Sequence, residues 1–162
     1  MRVKQESGKK FRPDELDVDI IKELQRNARI SYRALARKFG VSVTTISERV
    51  TRMVESGLIR NFTVIVDPEK AGASYCAALY IRTDNGADPA AVGGRIGNIE
   101  GICYIYHTLG LYNLIALGSA ANKEQFTAMI REIGAIKGVK EVIPSTVIDT
   151  IKEDPRHPVL IA

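Results

Sequence analysis

Tryptophan is absent from this chain, and cysteine and histidine occur only twice each. Cys76 and Cys103 are too few for a disulfide scaffold, so a reducing interior is expected, with a pairing of the two across neighbouring strands left open. Cys103 and His107 fall on one expected strand. At ~3.3 Å per residue their side chains stand about 13 Å apart, too far to share a metal, and His107 reads better as a buried or interface histidine. His157 lies in a proline-flanked tail without plausible partners. No serine–histidine–acid set and no paired carboxylates in a glycine-rich cleft are present, so an enzyme is not expected, nor a cofactor or a metal. Gly93, Gly94 and Gly97 lie in a helix-like stretch and do not follow a strand into a tight turn, which argues against a nucleotide loop. Long apolar runs are also missing. The longest, from Ala71 to Ile81, is too short to span a bilayer, and MRVKQESGKKF lacks the apolar core of a signal peptide. A cytoplasmic protein without a membrane partner is the expectation.

What is present is unevenly distributed. The chain has 162 residues and a formal charge of +4. Residues 1–60 hold 14 Lys/Arg against 8 Asp/Glu, whereas residues 61–162 hold 9 against 11. A basic front and a slightly acidic back suggest that only the front meets a polyanion.

The front is organised around YRALARKFGVSVTTISERVT, Tyr32 to Thr51. Ser31 is a good N-cap for a first helix carrying Leu35 and Phe39 at i, i+4. Gly40 sits where that helix must stop, because glycine takes the left-handed conformation such a turn needs. Ser42 then caps a second helix with Ile46, Val50 and Met53 inward. Its outward face reads Thr44, Thr45, Ser47, Glu48, Arg49 and Arg52, polar and partly basic, suited to base edges and phosphates in a major groove. Arg49 breaks the usual pattern, since the late apolar position falls at Val50. Upstream, Asp14 and Asp17 resemble a capping box for a helix with Leu16, Ile20, Ile21 and Leu24 on one face. Three helices thus close a small core around Leu24, Leu35, Ile46 and Val50.

Gly57 ends the third helix. Leu58 to Val66, LIRNFTVIV, is rich in β-branched residues and predicts a strand that needs a partner, most cheaply the same strand of a second copy. Further on, strands are expected over Ser74–Thr83, Gly101–Thr108, Tyr112–Gly118 and Val139–Ile151, the last interrupted at Pro144 by a bulge or edge position. Helices are expected from Pro89 to about Ile99 and over Lys123–Ile136. Tyr104 and Tyr106 alternate on one strand face as interface or core aromatics do. The order βαββαβ implies a ferredoxin-like, antiparallel four-stranded sheet with two helices on one face, its other face covered by a second subunit. The domain reading is a flexible basic tail (1–12), a helix-turn-helix domain (13–58), a hinge strand and linker (59–73), a βαββαβ domain (74–152) and a C-terminal tail (153–162).

These stretches together resemble the leucine-responsive and asparagine-synthetase regulator family of transcription factors (Lrp/AsnC). LARKFGVSVTTISERVTRM (Leu35–Met53) is similar to its helix-turn-helix, GLIRNFTVIVDPEKAG (Gly57–Gly72) to its hinge strand, and the βαββαβ half, with GLYN at Gly110–Asn113, to its amino-acid-regulated (RAM) module. The resemblance implies an α+β protein with a winged-type helix-turn-helix. It implies a sequence-specific regulator binding double-stranded DNA through Ser42, Val43, Thr44, Thr45, Ser47, Glu48, Arg49, Arg52, Arg33 and Lys38. It also implies dimers assembling onward to tetramers or octamers. An amino-acid effector, or a related small molecule, would lie between dimers at Thr108, Gly110, Leu111, Tyr112, Asn113 and Thr146. Two departures stand out. Asn113 replaces an aspartate frequent in the family, so a ligand ammonium would be held less firmly. Ala34 replaces an acidic residue and forgoes a capping box. The alternative reading is a small-molecule-sensing oligomer whose helical domain binds a protein.

Overall fold

The computed structural model describes residues 11–154 and 156; the expected basic tail, apart from residues 11 and 12, and most of the C-terminal tail, His157 included, lie outside them. The chain divides into two units, with boundaries between Val64 and Ile65 and between Glu153 and Asp154, the described residues after the second boundary grouping with the first unit.

The first unit holds α1 (Glu15–Arg26), α2 (Tyr32–Phe39) and α3 (Val43–Glu55). Each starts at a side-chain cap. Asp14 and Asp17 form the reciprocal capping box of α1, Ser31 accepts from the Ala34 N–H, and Ser42 accepts from the Thr45 N–H. Gly40 closes α2 at φ 68°, the left-handed turn that sets the α2–α3 crossing. Ile20, Leu24, Leu35, Ile46, Val50 and Met53 are buried together, as the periodicity required.

The segment expected as a hinge strand forms no ladder. Residues 58–66 carry no strand, and Val64 is 82% exposed. Its sequence favours extended backbone, but strand hydrogen bonds need a neighbour, and none of the described residues supplies one.

The second unit is a sheet with order β2-β3-β1-β4, all neighbours antiparallel. Its strands are β1 (Tyr75–Thr83), β2 (Ile102–His107), β3 (Leu114–Ala120) and β4 (Val139–Thr146), with α4 (Pro89–Ile96) and α5 (Lys123–Ala135) between them. Ala77, Leu79 and Ile81 of β1 and Leu114 and Ala116 of β3 share a core with Val92, Ile96, Met129 and Ile133 of the two helices. The alternate residues, Ala78, Tyr80, Ile115 and Leu117, lie on the other face and are only partly buried or exposed.

Several boundaries differ from expectation. The α4 helix stops at Ile96 rather than Ile99, capped by Gly97 before the turn into Gly101. β3 begins at Leu114 because Tyr112 and Asn113 are held in the preceding loop. β4 ends at Thr146, not Ile151, since β1 begins at Tyr75 and the Val147 N–H to Cys76 carbonyl bond is the last available. Pro144 lies on an edge strand opposite Leu79, but the register shift falls between Arg82 and Thr83. His107, Tyr104 and Tyr106 are exposed in this chain rather than core residues; the two tyrosine rings stack with centroids 6.2 Å apart. Cys76 and Cys103 are free thiols on β1 and β2, with β3 between them. Two strand spacings, about 9–10 Å, exceed disulfide reach.

Candidate nucleic-acid interface and effector loop

The α3 helix is embedded by one face and presents the rest. Val43, Thr44 and Glu48 are exposed, Thr45 and Ser47 half-buried. The Ser42 hydroxyl is engaged twice, with the Thr45 N–H and the Thr45 hydroxyl, so Ser42 serves as a cap. On α2, Arg33 and Arg37 stand four residues apart on one exposed face and carry no ion pair among the described residues. Arg29, just before the helix, is likewise exposed. Lys38 is bonded to Glu23 at 2.6 Å, and this contact holds the Glu23 carboxyl below its ordinary range.

Arg49 and Arg52 do not project freely. Arg49 Nη1 donates to Asp14 at 2.7 and 2.8 Å and to Asp17 at 2.8 Å. Arg52 Nη2 reaches Asp17 Oδ2 at 3.2 Å, and its guanidinium lies 5.2 Å over the Phe11 ring. The Asp17 side chain is only 1% exposed, so its charge is tolerated by these two cations and by the Asp14 N–H. The residue that broke the apolar pattern, Arg49, is the partner of a buried carboxylate. From the sequence alone Asp17 is a capping residue only; its i, i+3 position beside the apolar α1 face is the signal for a buried charge.

In the second unit, Thr108 to Asn113 form the β2–β3 loop. Thr108 Oγ1 donates to the Tyr112 carbonyl at 2.7 Å, and the Thr108 N–H to the Asn113 carbonyl. Asn113 Oδ1 accepts from the Thr83 N–H at 3.0 Å, while Nδ2 donates to Thr83 Oγ1 at 2.7 Å. The amide that replaces the expected aspartate therefore pins the loop to β1. Leu109 and Leu111 project outward, and Tyr112 packs beside Tyr80 with ring centroids 5.7 Å apart. Thr146 is not part of this group. It pairs with Ala77, six residues along β1 from Thr83, about 20 Å from the loop. One chain brings Thr108–Asn113 together and leaves Thr146 apart.

A winged helix-turn-helix DNA-binding profile matches residues 13–60, and an Lrp/AsnC ligand-binding-domain profile matches residues 76–157. The chain belongs to the Lrp/AsnC family. The HTH-type transcriptional regulator FL11 of Pyrococcus abyssi is 34% identical, covering 90% of this chain and 96% of that protein. Its Pyrococcus horikoshii counterpart is 32% identical over the same shares. The leucine response regulatory protein LrpA of Mycobacterium tuberculosis shares the fold at TM-score 0.82 and 22% identity, covering 91% of this chain and all of that one. E. coli AsnC shares it at TM-score 0.81 and 24% identity, covering 90% and 99%.

This Lrp/AsnC chain is a transcriptional regulator with a DNA-binding helix-turn-helix domain and a ligand-binding domain, not an enzyme. Among the described residues, no helix is long and apolar enough to cross a membrane.

Proposed function

We propose that a dimer of this regulator reads a roughly palindromic DNA site, with one α3 in each of two successive major grooves. The observation that supports this is the combination of an exposed, polar α3 face with exposed Arg33 and Arg37 on α2, which carry no ion pair among the described residues. Val43, Thr44, Thr45 and Ser47 would touch bases or backbone, and Glu48 would accept from a cytosine amino group. Arg33, Arg37, Lys38 and Arg29 supply phosphate contacts. Ser42 sets the start of the reading helix. Arg49 and Arg52 are engaged by α1 and reach a phosphate only by rearranging.

An amino acid or related small molecule, bound where the Thr108–Asn113 loop meets another subunit, would modulate this binding. Gly110, Leu111 and Tyr112 form the exposed part of that surface, and Thr146 would join it only from a different chain. Gel-shift titration between 50 and 200 mM salt tests the DNA reading. Log affinity should fall linearly with log salt, with a slope of about −0.9 per phosphate neutralised. A flat slope refutes it. Calorimetry with a panel of amino acids tests the effector, since coupling requires ligand binding that alters DNA affinity or assembly.

A further inference from the structure

Four charged side chains meet where α1 lies against α3, and they are not equivalent. Asp17 is sealed, with 1% of its side chain exposed, whereas Asp14 is 54% exposed. Both carboxylates bind the same Arg49 nitrogen, Nη1. Arg49 Nε and Nη2 make no hydrogen bond among the described residues. A guanidinium has five N–H donors in a rigid fork, matched equally to carboxylate and to phosphate oxygens.

We propose that Asp14 is an internal stand-in for a DNA phosphate: it occupies Arg49 in the free protein and yields it to the DNA backbone on binding, while Asp17 keeps its hold. This rests on the DNA-binding reading and names a gated contact within it. The roles follow from burial. Asp17 cannot release Arg49 and Arg52 without stranding a charge away from water, which is costly. Asp14 can release it cheaply, because its carboxylate turns to solvent and still caps α1 through Oδ1 on the Asp17 N–H. Arg49 pivots about its bond to Asp17 and offers its unused donors outward. Arg49 is thereby kept from unselective polyanion contacts until a phosphate takes the place of Asp14.

The test is Asp14→Asn, which keeps a capping oxygen and removes the charge. DNA affinity at low salt should rise about twofold to fivefold, the worth of one exposed charge pair. The log–log salt slope should stay the same, because Arg49 neutralises the same phosphate in both complexes; a slope steeper by about 0.9 would mean that wild-type Arg49 never leaves Asp14 and would overturn the proposal. Two comparisons make the result specific. Glu15→Gln, an exposed acid in the same turn without a bond to Arg49, should change affinity less. In an Arg49→Met background, Asp14→Asn should have no effect. Equal gains from Asp14→Asn and Glu15→Gln, a gain that persists in the Arg49→Met background, or no gain at all would overturn the proposal. So would weaker binding, which marks Asp14 as a mere strut for α3. If Arg49→Met does not fold, the comparison of Asp14→Asn with Glu15→Gln decides alone. Wild-type protein that binds no DNA would instead refute the function proposed above.

Discussion

Asp17 does three jobs with one carboxylate: it completes the α1 capping box, neutralises Arg49 and receives Arg52. Asp17→Ala should therefore destabilise the first unit by about 3 kcal/mol, the low end for a broken buried pair, because the stranded arginines retain some access to water. Urea unfolding followed by helical circular dichroism measures it. Asp14 gives a pH dependence of definite sign. Its hydrogen bond from Arg49, then that from the Asp17 N–H, holds its carboxyl below the ordinary 3.8. The folded chain thus takes up that proton less readily than the unfolded one. The stabilisation is complete above pH 3.8 and is lost as pH falls below it toward the folded value. Acid titration of the wild type against Asp14→Asn should show the difference shrinking in that window. The thiols give a further contrast. Burial pushes the Cys76 thiol up, and Cys103 is exposed, so a thiol reagent near pH 8 should modify Cys103 first in the monomer.

At the scale of elements, the β2–β3 pair depends on Gly101 and on the loop that follows β2. Gly101 has φ 88°, and a Cβ there would stand 2.4 Å from the Ser119 carbonyl oxygen. Gly101→Ala should cost about 1–3 kcal/mol in backbone strain alone, with more for the displaced β3 backbone, read as a lowered urea midpoint. Asn113 gives an opposite pair of expectations. Asn113→Ala leaves the buried Thr83 N–H and hydroxyl without partners and should cost about 1–3 kcal/mol. Asn113→Asp keeps the acceptor for the Thr83 N–H, and the Thr83 hydroxyl, which accepts from Asn113 Nδ2, can rotate to donate to the second carboxylate oxygen, so this change should be nearly neutral in stability. A change in effector preference on that substitution, read by calorimetry, would tie position 113 to ligand binding as well as to loop anchoring.

For the whole molecule, two apolar surfaces await cover: the outer face of the sheet, with Tyr80, Tyr104, Tyr106, Leu117 and Ile143, and the extended 62–66 segment with Phe62, Val64, Ile65 and Val66. Apolar area of this kind marks subunit contacts. Leu117→Glu, at a solvent-accessible position, should leave the fold intact and shift sedimentation toward monomer. Its DNA affinity should fall because two half-sites are no longer held together.

Sequence by itself determined the local grammar. Caps at Asp14, Ser31, Ser42, Asp88 and Asn122, the Gly40 turn and the alternating strand at Tyr75–Thr83 are short-range preferences, and each resides in a few neighbouring residues. Where strands end was less legible, because a strand lasts only as long as its neighbour; β4 stops with β1, and residues 58–66 pair with no strand among the described residues. Tertiary structure alone decided what the long side chains do. Arg49 and Asp14 are 35 residues apart, as Asn113 and Thr83 are 30, and no periodicity relates them. Only folding brings such donors and acceptors within hydrogen-bond reach. It turned a cation that read as a free DNA contact into a clamped one, and an amide that read as a weak ligand group into a loop anchor.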